Sequence, residues 1–296
     1  MSVELTTLAL ITLSAAVVNG GLGHGFSSIT VPVALLFYPS RILNPALVLV
    51  ETVINGYVLV ISRRSVPQVW RRVLPIFVGL VPGILAGAWL LSALDAAWLR
   101  FFVFAVLLPL ILLQAAGVRR PIRAEGAVGV PYGAGVGVLY SVTTISGPPL
   151  ALLFNNQGFV KQEFRAALGL IRVAESTLTA IAYLLIGLYS APSLGLLLAI
   201  VPSVLIGIPL GAALVQSLDA ETFRRVCMSF DAWVVGFGLS RTLVGLVPAS
   251  NPAAYGIWIA VVALDAYLVR MFFRRRADHR VPARVGVLQP TADGAA

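Results

Sequence analysis

Cysteine, histidine and charged side chains are all scarce in this chain of 296 residues. A single cysteine, Cys227, excludes an internal disulfide and a zinc site built from cysteines. Only 11% of the residues are charged whereas 59% are hydrophobic, so the polar surface is too small to cover a soluble globule. Long apolar runs fill the sequence from Leu5 to Phe273. This pattern predicts an all-α polytopic membrane protein.

Motifs for catalysis and for nucleotide binding are also missing. The sequence contains no HExxH metalloprotease motif, nucleophile elbow, P-loop or dinucleotide fingerprint. The glycine-rich stretch GLGHG follows no predicted strand, so it is not interpreted as a phosphate-binding loop. We therefore expect no enzymatic activity, no cofactor, no bound metal and no ATP-driven pumping. Any driving force would be an ion gradient or the gradient of the solute itself.

The net charge of +9 comes mainly from arginines in short links beside the apolar runs. This placement follows the positive-inside rule, so we expect the lipid bilayer as a partner and no nucleic acid. Placing the arginine-rich links in the cytoplasm puts the N-terminus outside and the C-terminus inside a cell membrane. The first twenty residues contain Glu4 and no Lys or Arg, which indicates a retained first span rather than a cleaved signal peptide.

Apolar length, together with the positions of Arg, Pro and Gly, divides the chain into eleven hydrophobic segments. Two of them are too short to cross about 30 Å of hydrocarbon as helices, and each follows a polar or glycine-rich joint. This predicts re-entrant hairpins or broken helices whose tips lie inside the protein. The segments are 5–19, 27–38, 43–62, 73–92, 98–117, 126–140, 147–157, 164–189, 193–216, 226–247 and 253–272.

An internal repeat relates the two halves of the chain. Residues 83–100 and 207–224 share glycine, leucine, aspartate and arginine positions at an offset of 124 residues. Glu51 and Glu175 are separated by the same offset. The arginine-based orientation makes the halves run in opposite directions, as in the inverted-topology repeats of secondary transporters. Each repeat then has one re-entrant or broken-helix hairpin and three transmembrane helices, and one extra C-terminal helix follows.

The domain organisation predicted from this repeat is a single transmembrane transporter domain over residues 1–273. Repeat one covers about 5–118 and repeat two about 126–247, and the extra span covers 253–272. Residues 274–296 are expected to form a basic cytoplasmic tail.

Two GxxxG pairs lie at equivalent positions of the repeats, Gly83 with Gly87 and Gly207 with Gly211. This spacing is more typical of faces where two membrane helices pack closely than of ligand contacts.

Both short segments carry small polar side chains at their predicted starts. The N-terminus of a helix presents free N–H groups and about half a positive charge, which favours anions. Hydroxyl groups there can contact a ligand, and glycine permits close approach of the backbone. The alternative is that these are packing kinks whose hydroxyls bond their own backbone. The expected anion-binding residues are Gly25, Ser27, Ser28, Thr30, Thr143, Thr144, Ser146 and Gly147.

Ionisable residues within the apolar spans are the candidates for ion coupling. Glu51 and Glu175 lie near the middle of their spans, where carboxylates commonly mark proton or ion pathways. Arg172 lies one turn before Glu175, so it can pair with that residue or add positive charge to an anion pocket. No partner for Glu51 is evident, which makes it the first choice for proton coupling. His24 can carry a coupling proton or only satisfy a loop carbonyl.

The residues around the two joints resemble the signature segments of the sulfite exporter TauE/SafE family, also called the 4-toluene sulfonate uptake permeases. The resemblance rests on GGLGHGFSSITVPVALLFYP in the first half and on GVGVLYSVTTISGPPLALLFNNQG in the second, and it extends over about residues 5 to 272. It implies export or uptake of sulfite, sulfonates or related small organic anions across the cytoplasmic membrane.

The leading hypothesis is therefore a secondary active transporter of small sulfur-containing or organic anions that works by alternating access, with proton coupling as an added hypothesis. One alternative is a cation-coupled carrier or a channel that uses Glu51 and Glu175. Another is a membrane scaffold that transports nothing. The solute, the direction of transport, the coupling ion and the oligomeric state stay open.

Overall fold

The computed structural model describes residues 3–22, 25–116, 125–156, 159, 161–214, 220–247 and 252–280. Over these residues the protein is all-helical, and seven helical segments are long and apolar enough to cross a membrane. The predicted class of an all-α polytopic membrane protein is confirmed. The α-helices are α1 (Val3–Leu22), α2 (Phe26–Ala34), α3 (Ser40–Ser62), α4 (Val66–Ala93), α5 (Ala96–Ala115), α6 (Glu125–Thr143), α7 (Gly147–Asn156), α8 (Lys161–Ile186), α9 (Ala191–Gly195), α10 (Leu197–Leu214), α11 (Ala220–Leu246) and α12 (Tyr255–Arg280).

Large apolar side chains cover much of the outer surface of these helices. Val53, Leu185 and Leu198 are 75%, 77% and 79% exposed, and many other aliphatic and aromatic side chains are more than 40% exposed. A contiguous apolar surface of this extent is unfavourable in water but matches the hydrocarbon of a bilayer. The outer surface therefore agrees with the membrane assignment made from length and composition.

Two helices are only half-length, at the places where the sequence predicts them. α2 has nine residues and α7 has ten, so they are about 14 and 15 Å long, which is half of the hydrocarbon thickness. The cap of α2 is Gly25, whose φ of 106° is readily adopted only by glycine. Before α7 the chain turns at Thr144, a residue other than glycine with φ of 56°.

Helices from the two halves of the chain pack in reciprocal pairs. α1 packs against α10, and α4 packs against α6. α1 begins the first half and α6 begins the second, while α4 and α10 carry the repeated GxxxG pairs. The contact of α1 with α10 therefore corresponds to the contact of α6 with α4. Corresponding helices also pack on each other, α3 against α8 and α5 against α11. The repeat in the sequence is therefore accompanied by a repeat in the packing.

The repeated glycines lie at the closest of these helix contacts. A Cβ atom added to Gly83 would lie 2.2 Å from the carbonyl oxygen of Ala134, and one added to Gly211 would lie 1.9 Å from that of Val17. Both distances are far shorter than a van der Waals contact, so the backbones can approach only because these residues have no side chain. The GxxxG pairs are helix-packing faces, as expected.

A buried ion pair attaches α12 to α11. Arg225 lies 2.7 Å from a carboxylate oxygen of Asp265, and the indole N–H of Trp233 donates to the other oxygen at 3.0 Å. Both Asp265 oxygens are thus hydrogen-bonded although the side chain is fully buried. α12 continues through residues 274–280, which the sequence assigned to the tail, whereas 281–296 lie outside the described residues.

Gly133 and Gly135 of α6 provide a matched test of the close packing. A Cβ atom on Gly133 would lie 2.1 Å from the carbonyl oxygen of Ile76 in α4, whereas one on Gly135 would meet nothing within 4 Å. We expect Gly133→Ala to lower the free energy of unfolding by about 1–3 kcal/mol because the two backbones must separate. Gly135→Ala should be neutral or slightly stabilising, since alanine favours the helix. Equal thermal unfolding temperatures of the two variants in detergent would contradict the contact between α4 and α6.

Candidate functional site

The N-terminal ends of α2 and α7 lie next to each other and form one polar site. A Cβ atom built on Gly147 would lie 3.9 Å from the hydroxyl oxygen of Ser28. Ser27, Thr30 and Ser146 are buried, whereas Ser28 is half-buried. The structure therefore brings together the two groups of residues that the sequence singled out separately, one from each half of the chain.

The start of α2 offers free backbone amides. Its first intrahelical hydrogen bond runs from the amide of Ile29 to the carbonyl oxygen of Gly25 at 3.3 Å. The amides of residues 26–28 precede this bond, so they have no partner within the helix. Three N–H groups at a helix N-terminus, combined with the helix dipole, favour a bound anion.

The start of α7 is chemically different. Its first intrahelical bond runs from the amide of Leu150 to the carbonyl oxygen of Ser146 at 3.1 Å. Pro148 and Pro149 have no N–H group, which leaves Gly147 as the one residue in this turn with an amide to offer. The two tips therefore differ in their capacity to bind an anion through the backbone, although both begin a half-length helix.

Glu51 of α3 lies at the tip of α2 and accepts hydrogen bonds from three donors. The hydroxyl of Ser27 lies 2.5 Å and the guanidinium of Arg172 lies 2.9 Å from its Oε1 atom. The hydroxyl of Tyr140 lies 2.6 Å from Oε2. Glu51 is 1% and Arg172 5% exposed, so this is a buried ion pair. The negative charge is compensated, and both carboxylate oxygens have a donor.

The sequence left two alternatives for Arg172, and the structure shows no ion pair with Glu175 among the described residues. Arg172 instead pairs with Glu51, the glutamate for which the sequence shows no evident partner. The physical reason is the packing of α3 against α8, which brings Glu51 to the guanidinium together with two hydroxyl donors. If Arg172 had paired with Glu175 on its own helix, the buried carboxylate of Glu51 would have had no counter-ion.

Glu175 occupies the equivalent position of the repeat but has fewer partners. The hydroxyl of Ser146 donates to its Oε2 atom at 2.5 Å. The Oε1 atom is buried and has no hydrogen-bond partner within the described part of the chain, although the side chain is fully buried. Buried polar atoms without a partner are rare, and each calls for a ligand, an ion, a water molecule or a proton.

The threonine hydroxyls of the two tips are used in different ways. Thr143 donates to the carbonyl oxygen of Leu139 at 2.7 Å and accepts from the amide of Ile145 at 3.0 Å. Thr144 donates to the carbonyl oxygen of Thr143 at 2.7 Å. These two hydroxyls bond their own backbone and shape the joint. The buried hydroxyl of Thr30 has no partner among the described residues, so it can bind a solute.

Two tyrosines of α6 belong to the site and were missed from the sequence. Tyr140 donates to Glu51, and Tyr132 donates to the carbonyl oxygen of Pro149 at 2.6 Å in the first turn of α7. Both lie in an apolar run that predicts only a span, so nothing local marks them as polar ligands. Their roles follow from where α6 lies relative to α3 and α7.

Two further polar residues were missed although a signal for them exists. Asn55 lies one turn after Glu51, and Thr179 lies one turn after Glu175, so each shares a helix face with its carboxylate. Asn55 donates to the carbonyl oxygen of Arg172 at 3.4 Å, and the buried hydroxyl of Thr179 has no partner among the described residues. The two residues occupy equivalent positions of the repeat, which could have identified them.

The remaining expected coupling residue, His24, lies outside the described residues. Within the described ranges, no group of three or more His, Cys, Asp or Glu side chains is arranged to hold a metal ion.

Comparison with known protein families gives one match. The model of the family described as "Sulfite exporter TauE/SafE" matches residues 8–239, a range that contains both tips, both buried glutamates and Arg172. No curated protein and no solved structure matches the chain.

Neutralising one member of the buried ion pair should destabilise the protein more than neutralising both. Glu51→Gln leaves Arg172 as an uncompensated buried charge, so we expect a loss of about 3–5 kcal/mol in the free energy of unfolding. The double variant Glu51→Gln, Arg172→Gln should regain most of this loss. Glu175→Gln is the matched control, with a smaller expected loss because no ion pair is broken. Additive losses in the double variant, measured by unfolding in detergent, would contradict the pair.

Proposed function

The chain belongs to the sulfite exporter TauE/SafE family, and on that premise we propose that it is a secondary active transporter of small sulfur-containing or organic anions. Membership implies a membrane protein that transports an anion such as sulfite, which agrees with the seven helical segments able to span a bilayer. Transport rather than catalysis is accordingly the class of function that we propose, with no cofactor.

The observation that carries the proposal is the set of donors at the start of α2 that have no partner within the helix. Residues 26–28 present three amides, Ser28 is half-buried, and the hydroxyl of Thr30 is buried without a partner among the described residues. A small oxyanion needs several donors, and a helix N-terminus supplies them without a counter-ion. Arg172 neutralises the Glu51 carboxylate beside this tip, so that carboxylate does not oppose an anion. The proposed solute-binding residues are Gly25, Ser27, Ser28, Thr30, Ser146, Gly147 and Arg172. Thr143 and Thr144, which the sequence also indicates, shape the joint because their hydroxyls bond their own backbone.

Alternating access between two inverted repeats is the mechanism we propose for this site. The reciprocal packing of α1 on α10 and of α4 on α6 supports it, as does the packing of α3 on α8 and of α5 on α11. In this arrangement residues 1–273 are one transporter domain, the N-terminus is outside, and the C-terminus and basic tail are in the cytoplasm. The solute site lies where the two repeats meet.

Two other functions make different use of the same residues. A cation-coupled carrier or channel would need carboxylates that are free to bind the cation. Arg172 compensates Glu51, so Glu175 is the one carboxylate at the tips without an ion pair in the described structure. A membrane scaffold would need no buried polar site. Proton coupling through Glu51, Glu175 or His24 is compatible with anion transport.

The experiment that tests the proposed function uses purified protein in detergent and in proteoliposomes. We expect sulfite or a sulfonate to raise the thermal unfolding temperature, because a ligand that binds only the folded state stabilises it, and to enter the vesicles with saturable kinetics. Stabilisation by cations alone would favour the cation carrier. Absence of flux for every anion and cation tested would favour the scaffold.

Thr30→Val should weaken anion binding while leaving the shape of the side chain nearly unchanged. A hydrogen bond to a charged group contributes about 1.5–3 kcal/mol, so we expect the dissociation constant to rise about tenfold or more. The matched control is Thr12→Val in α1, because the hydroxyl of Thr12 is also buried but donates to its own backbone at Leu8. Equal affinities for sulfite in both variants, from titrations of the unfolding temperature, would remove Thr30 from the site.

A further inference from the structure

Three ionisable side chains adjoin the paired tips, and their charges do not balance. Glu51 and Arg172 form a buried ion pair, so together they contribute no net charge. Glu175 is fully buried and has no such partner among the described residues. When Glu175 is ionised, the site therefore carries one uncompensated negative charge.

Glu175 is close enough to the start of α2 to oppose an anion there. Its carboxylate is hydrogen-bonded to Ser146, and the neighbouring Gly147 lies against Ser28 of the α2 tip. Two like charges on these adjoining tips, among buried side chains, repel each other more strongly than they would in water. The free amides of α2 attract the anion that an ionised Glu175 repels.

Of the two coupling candidates within the described residues, Glu51 and Glu175, Glu175 is the one whose surroundings allow a proton to be gained. Protonation of Glu51 would leave the buried guanidinium of Arg172 without its counter-ion and would disturb three hydrogen bonds. Protonation of Glu175 breaks no ion pair. It converts the unpartnered Oε1 atom into an O–H donor, which needs an acceptor such as an oxygen of the solute.

The titratable groups near Glu175 come from α3, α6 and α8 itself, although α4, α7 and the short 3-10 turn at residues 63–65 also pack against α8. Among titratable residues, α3 contributes Glu51 and α6 contributes Tyr132 and Tyr140, and Arg172 lies one turn away on α8 itself. α7 has no titratable residue, and α4 has two, Arg71 and Arg72, in its first turns. Arg72 stacks on the ring of Phe159 at 4.0 Å.

We propose that the anion occupies the site only when Glu175 carries a proton, so that each monovalent anion crosses the membrane together with one proton. The inference rests on the anion-transport function proposed above. A proton from one side binds to Oε1, the anion binds beside it, and both leave on the other side after the repeats reorient. The empty carrier returns with Glu175 ionised and held by Ser146. Loaded and empty sites then carry the same net charge, so transport is electroneutral.

The decisive experiment measures uptake of methanesulfonate, whose single charge does not change with pH, into proteoliposomes. For the wild-type protein we expect a pH gradient, with the inside alkaline, to drive accumulation up to about tenfold per pH unit. A membrane potential imposed by potassium and valinomycin should have little effect. Accumulation driven by the potential in the wild-type protein would overturn the proposal and requires no variant.

Glu175→Gln should uncouple the proton from the anion. The glutamine is always neutral, so we expect the pH gradient to lose its effect and a positive-inside potential to drive uptake instead. Exchange of labelled for unlabelled methanesulfonate at equal pH should be slowed but measurable. Glu175→Asp keeps a carboxyl group and should retain pH-driven accumulation. Glu163→Gln, about three turns away on α8, is the matched control and should behave like the wild-type protein.

The outcomes separate this inference from the proposed function. If the wild-type protein moves neither methanesulfonate nor sulfite, anion transport itself is wrong and the inference falls with it. If the wild-type protein transports either anion but Glu175→Gln still accumulates it on a pH gradient, only the role of Glu175 is overturned.

Discussion

The buried ion pair between Arg172 and Glu51 is the interaction on which the centre of this protein depends. It joins α8 in the second half of the chain to α3 in the first, and taking both charges out of water is costly. Two further donors offset that cost, Ser27 from the tip of α2 and Tyr140 from α6. The same contact therefore joins four helices, α2, α3, α6 and α8, around the start of α2.

The two tips are alike in length and position but differ in chemistry. The tip of α2 has three consecutive amides without an intrahelical partner, and Arg172 neutralises its carboxylate, which is the arrangement that favours an anion. The tip of α7 begins with two prolines, so its backbone has little to offer an anion. It lies against Glu175, a carboxylate with a single donor among the described residues, which is the group that we propose accepts a proton. In the transport cycle that we propose, two halves with similar sequences thus supply different parts of one reaction.

Two kinds of contact hold the helices together, namely close glycine contacts and the hydrogen-bonded groups of the polar centre. Membrane helices gain little from the hydrophobic effect when they associate, so they depend on close backbone approach and on interhelical hydrogen bonds. Glycines allow close backbone approach at two contacts, between α4 and α6 and between α10 and α1. The buried glutamates provide hydrogen bonds between helices where α3 meets α8. The glycine contacts need no polar residues, so the polar residues of the centre are available for the solute and the proton that we propose they bind.

The sequence by itself determined the membrane class, the two half-length helices, the repeat and the glycine faces. These features follow from local length, composition and spacing, and the hydroxyl-rich tips were visible for the same reason. Only the tertiary structure decided that Arg172 pairs with Glu51, that Tyr132 and Tyr140 belong to the site, and that Thr143 and Thr144 bond their own backbone. Each of those facts depends on how one helix is rotated and placed against another. Hydrophobic length does not specify that rotation, because nearly every face of a membrane helix is apolar.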